Sequence, residues 1–160
     1  MKKNTFLLLL GCLCLFTSCL KSGLDDIENS DLCTISSIII EHRWTAKNAN
    51  GYDQLCRQPL TLSKNSPDDN NEIRFKLTVP AASSSSSFSA FNAIVRNTVS
   101  LDNLYLISII SPAAKIAPFE GAPTLGLPNS FETGKDYKYQ VTAANGTKAV
   151  FVIVIEDFVK

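Results

Sequence analysis

The sequence predicts an all-β protein: a single immunoglobulin-like β-sandwich of about seven or eight strands, spanning residues 33–160. Three observations carry this. Residues 72–79 alternate strictly, with Ile73, Phe75, Leu77 and Val79 on one face and Arg74, Lys76 and Thr78 on the other. Tyr137, Tyr139, Val141 and Ala143 alternate in the same way, reach Asn145-Gly146, and give way to the apolar run 149–155; an Asn-Gly between two β runs is a strong hairpin signal. The remaining apolar runs are short and β-branched, separated by clusters of Gly, Pro, Asn and Ser.

In chain order, residues 34–43 are rich in Ile, Ser and Thr and read as the first strand. Residues 44–59, with their Asn, Gly, Asp and Gln, read as a loop or irregular hairpin, and 59–62 as a short strand. The Ser-Pro-Asp-Asp-Asn-Asn of 66–71 is turn chemistry before the alternating strand at 72–79, which Pro80 ends. Ser83–Ser87 is a run of serines that reads as a flexible loop. Residues 88–99 fit a helical period through Phe88, Phe91, Ile94 and Val95, while 93–99 also suits an edge strand; the pattern leaves both open. Residues 101–110 read as a strongly apolar strand, 114–117 as a short one, and 118–128 as a Pro/Gly-rich loop before the final hairpin.

The N-terminus has a different logic. Lys2 and Lys3 precede an apolar run from Phe6 to Phe16, then Thr17-Ser18-Cys19. A membrane-spanning helix needs about 20 apolar residues. The run is too short for that and suits a signal h-region. The order resembles a bacterial lipoprotein signal, which implies cleavage before Cys19 and acylation of its sulfur. Phe16 stands where such signals usually carry Leu. The organisation expected is a signal peptide at 1–18, a lipidated N-terminus and tether at 19–32, and the sandwich at 33–160. The tether is polar and acidic, and a coil of that length spans on the order of 20 Å. Acidic residues at Asp25 and Asp26 resemble the surface-export signal of Bacteroidetes lipoproteins. The location expected is therefore the outer membrane, lipid-anchored, with the cell surface slightly favoured over the periplasmic face.

Composition narrows the partners. Without Lys2 and Lys3 the chain from Cys19 carries 13 basic and 15 acidic residues, a net charge of −2. No basic stripe points to nucleic acid. Of the five cysteines, Cys12 and Cys14 belong to the signal and Cys19 to the lipid. Cys33 and Cys56 remain, in an oxidising compartment: a candidate disulfide, or two buried thiols. Two cysteines and His42 make no recognised metal-ligand spacing, so no metal or other cofactor is expected.

No catalytic residues are assigned. His42 is the only histidine, and its neighbour Glu41 points to the opposite face of a strand. Neither a Gly-x-Ser-x-Gly elbow nor a His-Glu-x-x-His pair is present. His42 reads as a surface or strand-end residue. The candidate ligand-binding set is Trp44, Asn48, Asn50, Tyr52 and Asp53, because sugars pack C–H faces on aromatic rings and bond hydroxyls to Asn and Asp. The competing and stronger reading puts Trp44 in the sandwich core and makes Tyr52 an ordinary loop residue. Tyr137 and Tyr139 read as packing residues.

The segment Leu104-Tyr-Leu-Ile-Ser-Ile-Ile-Ser-Pro-Ala-Ala-Lys-Ile-Ala-Pro-Phe-Glu-Gly, followed by Asp136-Tyr-Lys-Tyr-Gln-Val-Thr-Ala-Ala-Asn-Gly-Thr-Lys-Ala-Val-Phe-Val-Ile-Val, resembles a β-sandwich domain of unknown function in Bacteroidetes envelope lipoproteins, known by its "YTVTAxDGT…YTVTV" hairpin. The resemblance covers most of the chain after the tether. Asn145 stands where the family usually has Asp, and residues 81–99 are an insertion. It implies a non-catalytic, membrane-anchored binding or accessory module for a glycan or partner protein. The alternative is a structural subunit of an envelope complex or fimbria-like assembly, with the run 150–155 as a strand offered to a neighbour.

Overall fold

The computed structural model describes residues 30–160. The signal sequence, Cys19 and most of the tether lie outside the described residues.

Nine strands form two sheets. They are β1 (Ile35–Lys47), β2 (Asp53–Pro59), β3 (Thr61–Leu62), β4 (Glu72–Thr78), β5 (Leu104–Ile110), β6 (Lys115–Phe119), β7 (Pro128–Asn129), β8 (Tyr137–Thr142) and β9 (Lys148–Val159). One sheet has the order β2-β1-β5-β7, the other β3-β4-β9-β8-β6. The protein is a single β-sandwich, as its patterning predicts. One helix, α1 (Ala93–Thr98), and a 3-10 turn (Leu101–Asn103) lie between β4 and β5. This resolves 93–98 of the ambiguous segment as a helix, started by Asn92, whose side chain accepts the Val95 N–H, while Phe88 and Phe91 lie in the loop before it.

The inner faces are those the alternation predicts. Ile73, Phe75 and Leu77 of β4, and Tyr139 and Val141 of β8, are fully buried. Phe151, Ile153 and Ile155 of β9 meet them. β9 is the spine of the second sheet: it pairs parallel with β4 and antiparallel with β8. A parallel pair needs a long crossover, and the whole chain from β4 to β9 supplies it.

β1 shifts register between Ile35 and Ser37. From there Ile38, Ile40, His42, Trp44 and Ala46 share the inner face. β1 pairs with β5 only as far as Glu41, and beyond that with β2 alone, up to Lys47 opposite Asp53. The β1–β2 hairpin thus projects past the sandwich. The insert between β4 and β5 plugs the space beneath it with Phe91, Val95 and Val99, which join the main core. Residues 44–59 are therefore mostly strand, and only 48–52 form the turn.

The two remaining cysteines do not bond to each other. Cys33 precedes β1, whereas Cys56 lies opposite Trp44 near the other end of that strand. The nine residue steps from Ile35 to Trp44 separate them by about 30 Å, and a disulfide needs Cα atoms within about 7 Å.

The molecule has a clear polarity. Ser30 accepts a hydrogen bond from Asn145 N–H, so the tether joins beside the β8–β9 turn. The β1–β2 hairpin tip lies at the other end of β1, about 40 Å away for a strand of thirteen residues.

Candidate functional site

The end of the molecule remote from the tether gathers most of the residues singled out in the sequence. Trp44 is half-buried. Its indole Nε1 donates to the Phe88 carbonyl at 2.7 Å. Its ring stacks on His42, with centroids 6.0 Å apart and planes at 16°, and tilts against Phe91. Trp44 is a structural link between hairpin and insert, not a ring presented at the hairpin tip.

The rest of the predicted set divides. Asn48 Oδ1 accepts from the N–H groups of Asn50 and Tyr52, which closes the turn. Gly51 sits in that turn at φ 81°, open to glycine at no steric cost. Asp53 pairs with Lys47 at 2.7 Å. Asn50 is exposed, and Tyr52 projects into solvent at 71% exposure. The five residues therefore do not converge on one polar pocket: two are committed to the hairpin, one to the insert, and Tyr52 stands at the tip with Asn50 beside it.

His42 is not a surface residue. It is 3% exposed, on the inner face under the insert. Its Nε2 contacts Thr98 Oγ1, which already donates to the Val95 carbonyl. That hydroxyl's proton is thus committed to the Val95 carbonyl. Glu41, equally buried on the opposite face, is matched by Arg43 at 2.5 Å, and the Arg43 guanidinium lies 4.2 Å over the Tyr105 ring. Among the described residues no group of three His, Cys, Asp or Glu side chains is placed to hold a metal ion.

Sequence patterning passed over the serine run, which has a definite job here. Ser83–Ala90 forms a strap across the insert. Its base is closed by Ser83 N–H to the Phe91 carbonyl at 2.7 Å and by Asn92 Nδ2 to the Ser87 carbonyl. The serines bond chiefly to one another, in steps of two. The strap holds Phe88 outward at 63% exposure while Trp44 grips its carbonyl. A lone aromatic in a serine run was the one available signal. Next to the strap, Ser83–Ser86, Asn92, Ala93 and Ile94 line an open recess of about 270 Å³. Tyr52, Leu55, Phe88 and Ile94 are the four most exposed large apolar side chains of the described residues, and all lie on the hairpin or the insert.

No curated protein matches the chain. A crystal structure of a protein from Bacteroides fragilis described as secreted is similar over 81% of this chain and 98% of its own, at 27% identity and a TM-score of 0.68. Neither comparison names a catalytic family. The family model described as DUF5018-related matches residues 35–154, from the first residue of β1 into β9, and the chain belongs to that family.

Proposed function

We propose that this protein is a membrane-tethered envelope lipoprotein whose sandwich is a non-catalytic binding module, with its contact surface at the end remote from the tether. The observation that carries the reading is the polarity of the fold: the tether joins beside Asn145, and the exposed apolar side chains Tyr52, Leu55, Phe88 and Ile94 collect toward the opposite end. Soluble proteins seldom gather large apolar side chains in solvent without a use for them, and such groups mark contact sites. Acylation at Cys19 supplies the anchor, and the secreted Bacteroides relative supports an envelope or extracellular location. A partner protein suits this surface better than a sugar, because two of the three polar side chains that would bond hydroxyls, Asn48 and Asp53, are spent on the β1–β2 turn.

The test uses the full chain expressed in its cell envelope. Cys19→Ala is expected to release the protein from membranes into the soluble fraction; retention on the membrane overturns the anchor. Chemical crosslinking of intact cells, followed by purification, is expected to recover one defined partner from the wild type and none from Tyr52→Ala/Phe88→Ser. Equal recovery from both overturns the contact surface. Binding of the wild type to a polysaccharide panel, lost in the same double variant, replaces the protein partner with a glycan.

A further inference from the structure

The only histidine and the only tryptophan of the chain are stacked on each other beneath the serine strap. The hydrogen-bond pattern points to one tautomer of the histidine. The Thr98 hydroxyl gives its proton to the Val95 carbonyl at 2.7 Å, so toward His42 Nε2, 3.2 Å away, it accepts. Nε2 therefore carries the hydrogen and Nδ1 is the bare nitrogen. That Nδ1 is buried without a partner. The ring is neutral, and a second proton would bury a charge in an apolar site.

The charged groups on the surrounding elements do not compensate it. Lys160, at the end of β9, donates to the Asn97 and Val99 carbonyls and opposes a positive ring electrostatically. Arg96 of α1 is held by the Pro80 carbonyl, and Asp102 of the 3-10 turn accepts from Ser130. On the ring's own strand Glu41 and Arg43 lie on the other face, paired with each other. On β2, neutral Gln58 stands opposite. Burial above all, with Lys160 adding to it, lowers the His42 pKa from 6.5, against a smaller raising effect of the Asn103 carbonyl.

Two hydrogen bonds cross from the insert to the β1–β2 hairpin: Trp44 to the Phe88 carbonyl and Thr98 to His42. Phe91 and Val95 of the insert also belong to the core cluster that runs through both sheets, and Lys160 and the Pro80 carbonyl hold its helix. Lifting the insert exposes Phe91 and Val95 but leaves the ladders of both sheets paired, so it solvates a charged imidazole at less cost than unfolding the domain. We propose that residues 81–98 are a pH-gated cover: protonation of His42 loosens the insert from the hairpin, releases Trp44 from the Phe88 carbonyl, and uncovers the Trp44 ring on the hairpin. This stands apart from the identity of any partner at the distal end. The sign follows from linkage. With the closed-state pKa below that of the open chain, the closed form is fully favoured above about pH 6.5 and loses stability as the pH falls below it.

With one tryptophan, the full chain in detergent micelles, labelled with 15N-tryptophan, gives a single indole N–H resonance that reports the Phe88 bond. Between pH 8 and 5 that resonance is expected to shift with the same midpoint as the His42 ring signals, at a pH below 6.5, while sheet methyl signals stay in place. His42→Gln is expected to hold the indole signal at its pH 8 position throughout. Lys160→Met is expected to raise both midpoints together, by about half a pH unit, and serves if the glutamine variant fails to fold. An indole signal that ignores the His42 titration, one that still shifts in His42→Gln, or collapse of the sheet signals at the same pH overturns the proposal.

Discussion

Ser108 shows what a single side chain can cost. It lies on β5 opposite Ile38, whose side chain is buried in the core, and its Oγ is buried with no hydrogen-bond partner. A buried hydroxyl without a partner is more expensive than the methyl that would replace it. Ser108→Ala is expected to stabilise the domain by about 1 kcal/mol, seen as a higher urea midpoint at unchanged slope. A lower midpoint would show that the hydroxyl has a partner. Apolar positions of this kind were readable from the sequence: Tyr137, Tyr139 and Val141 alternate with polar neighbours and are buried as the pattern predicts. Polar ones were not. His42 is buried because Thr98, fifty-six residues later, folds over it, and Glu41 because Arg43 neutralises it. No local pattern encodes a partner that distant.

At the scale of elements, the last hairpin is the best case for local logic. Asn145 Oδ1 accepts from Thr147 N–H, Ala143 N–H donates to the Thr147 carbonyl, and Gly146 takes φ 90°. A Cβ at Gly146 would meet nothing within 4 Å, so the penalty for a side chain is one of backbone conformation alone. Gly146→Ala is expected to cost about 1 kcal/mol, measured as a lower melting midpoint; an unchanged midpoint would mean that the turn relaxes to another type. The first hairpin obeyed a different rule. Residues 44–59 carry loop-like composition, yet they continue β1 and build β2, since Trp44, Ala46 and Cys56 gain burial once the insert packs beneath them. That gain is tertiary, and alternation within the segment could not reveal it. The strap shows the same limit: serines that look structureless in sequence are ordered by Asn92, the Phe91 carbonyl and Trp44.

At the scale of the whole molecule the decisive feature is the place of β9 inside its sheet. The run 150–155 has the composition of a strand that a subunit can lend to a neighbour, while the Asn145-Gly146 turn argues for pairing within the domain, with 137–143 as partner. In the fold it belongs to β9, hydrogen-bonded to β4 on one side and β8 on the other, with its inner residues at the centre of the core. The sheet edges carry the usual guards against strand addition. Edge strand β2 bears Asp53, Arg57 and Pro59, β6 bears Lys115 and Pro118, and β3 and β7 are two residues long. A last strand paired on both sides and blunted edges fit a self-contained module better than a strand-lending subunit. This gives a direct experiment. A chain stopped after Thr147 loses both ladders of β9 and is expected to lose its fold, with protease resistance and near-UV dichroism abolished. Addition of a peptide covering 148–160 is expected not to restore them, because β4 and β8 share a sheet only through β9, and without it no preformed edge is left to receive the peptide. Recovery of a folded, protease-resistant complex from the two pieces would reverse the conclusion, and with it favour a strand-lending subunit over a self-contained binding module.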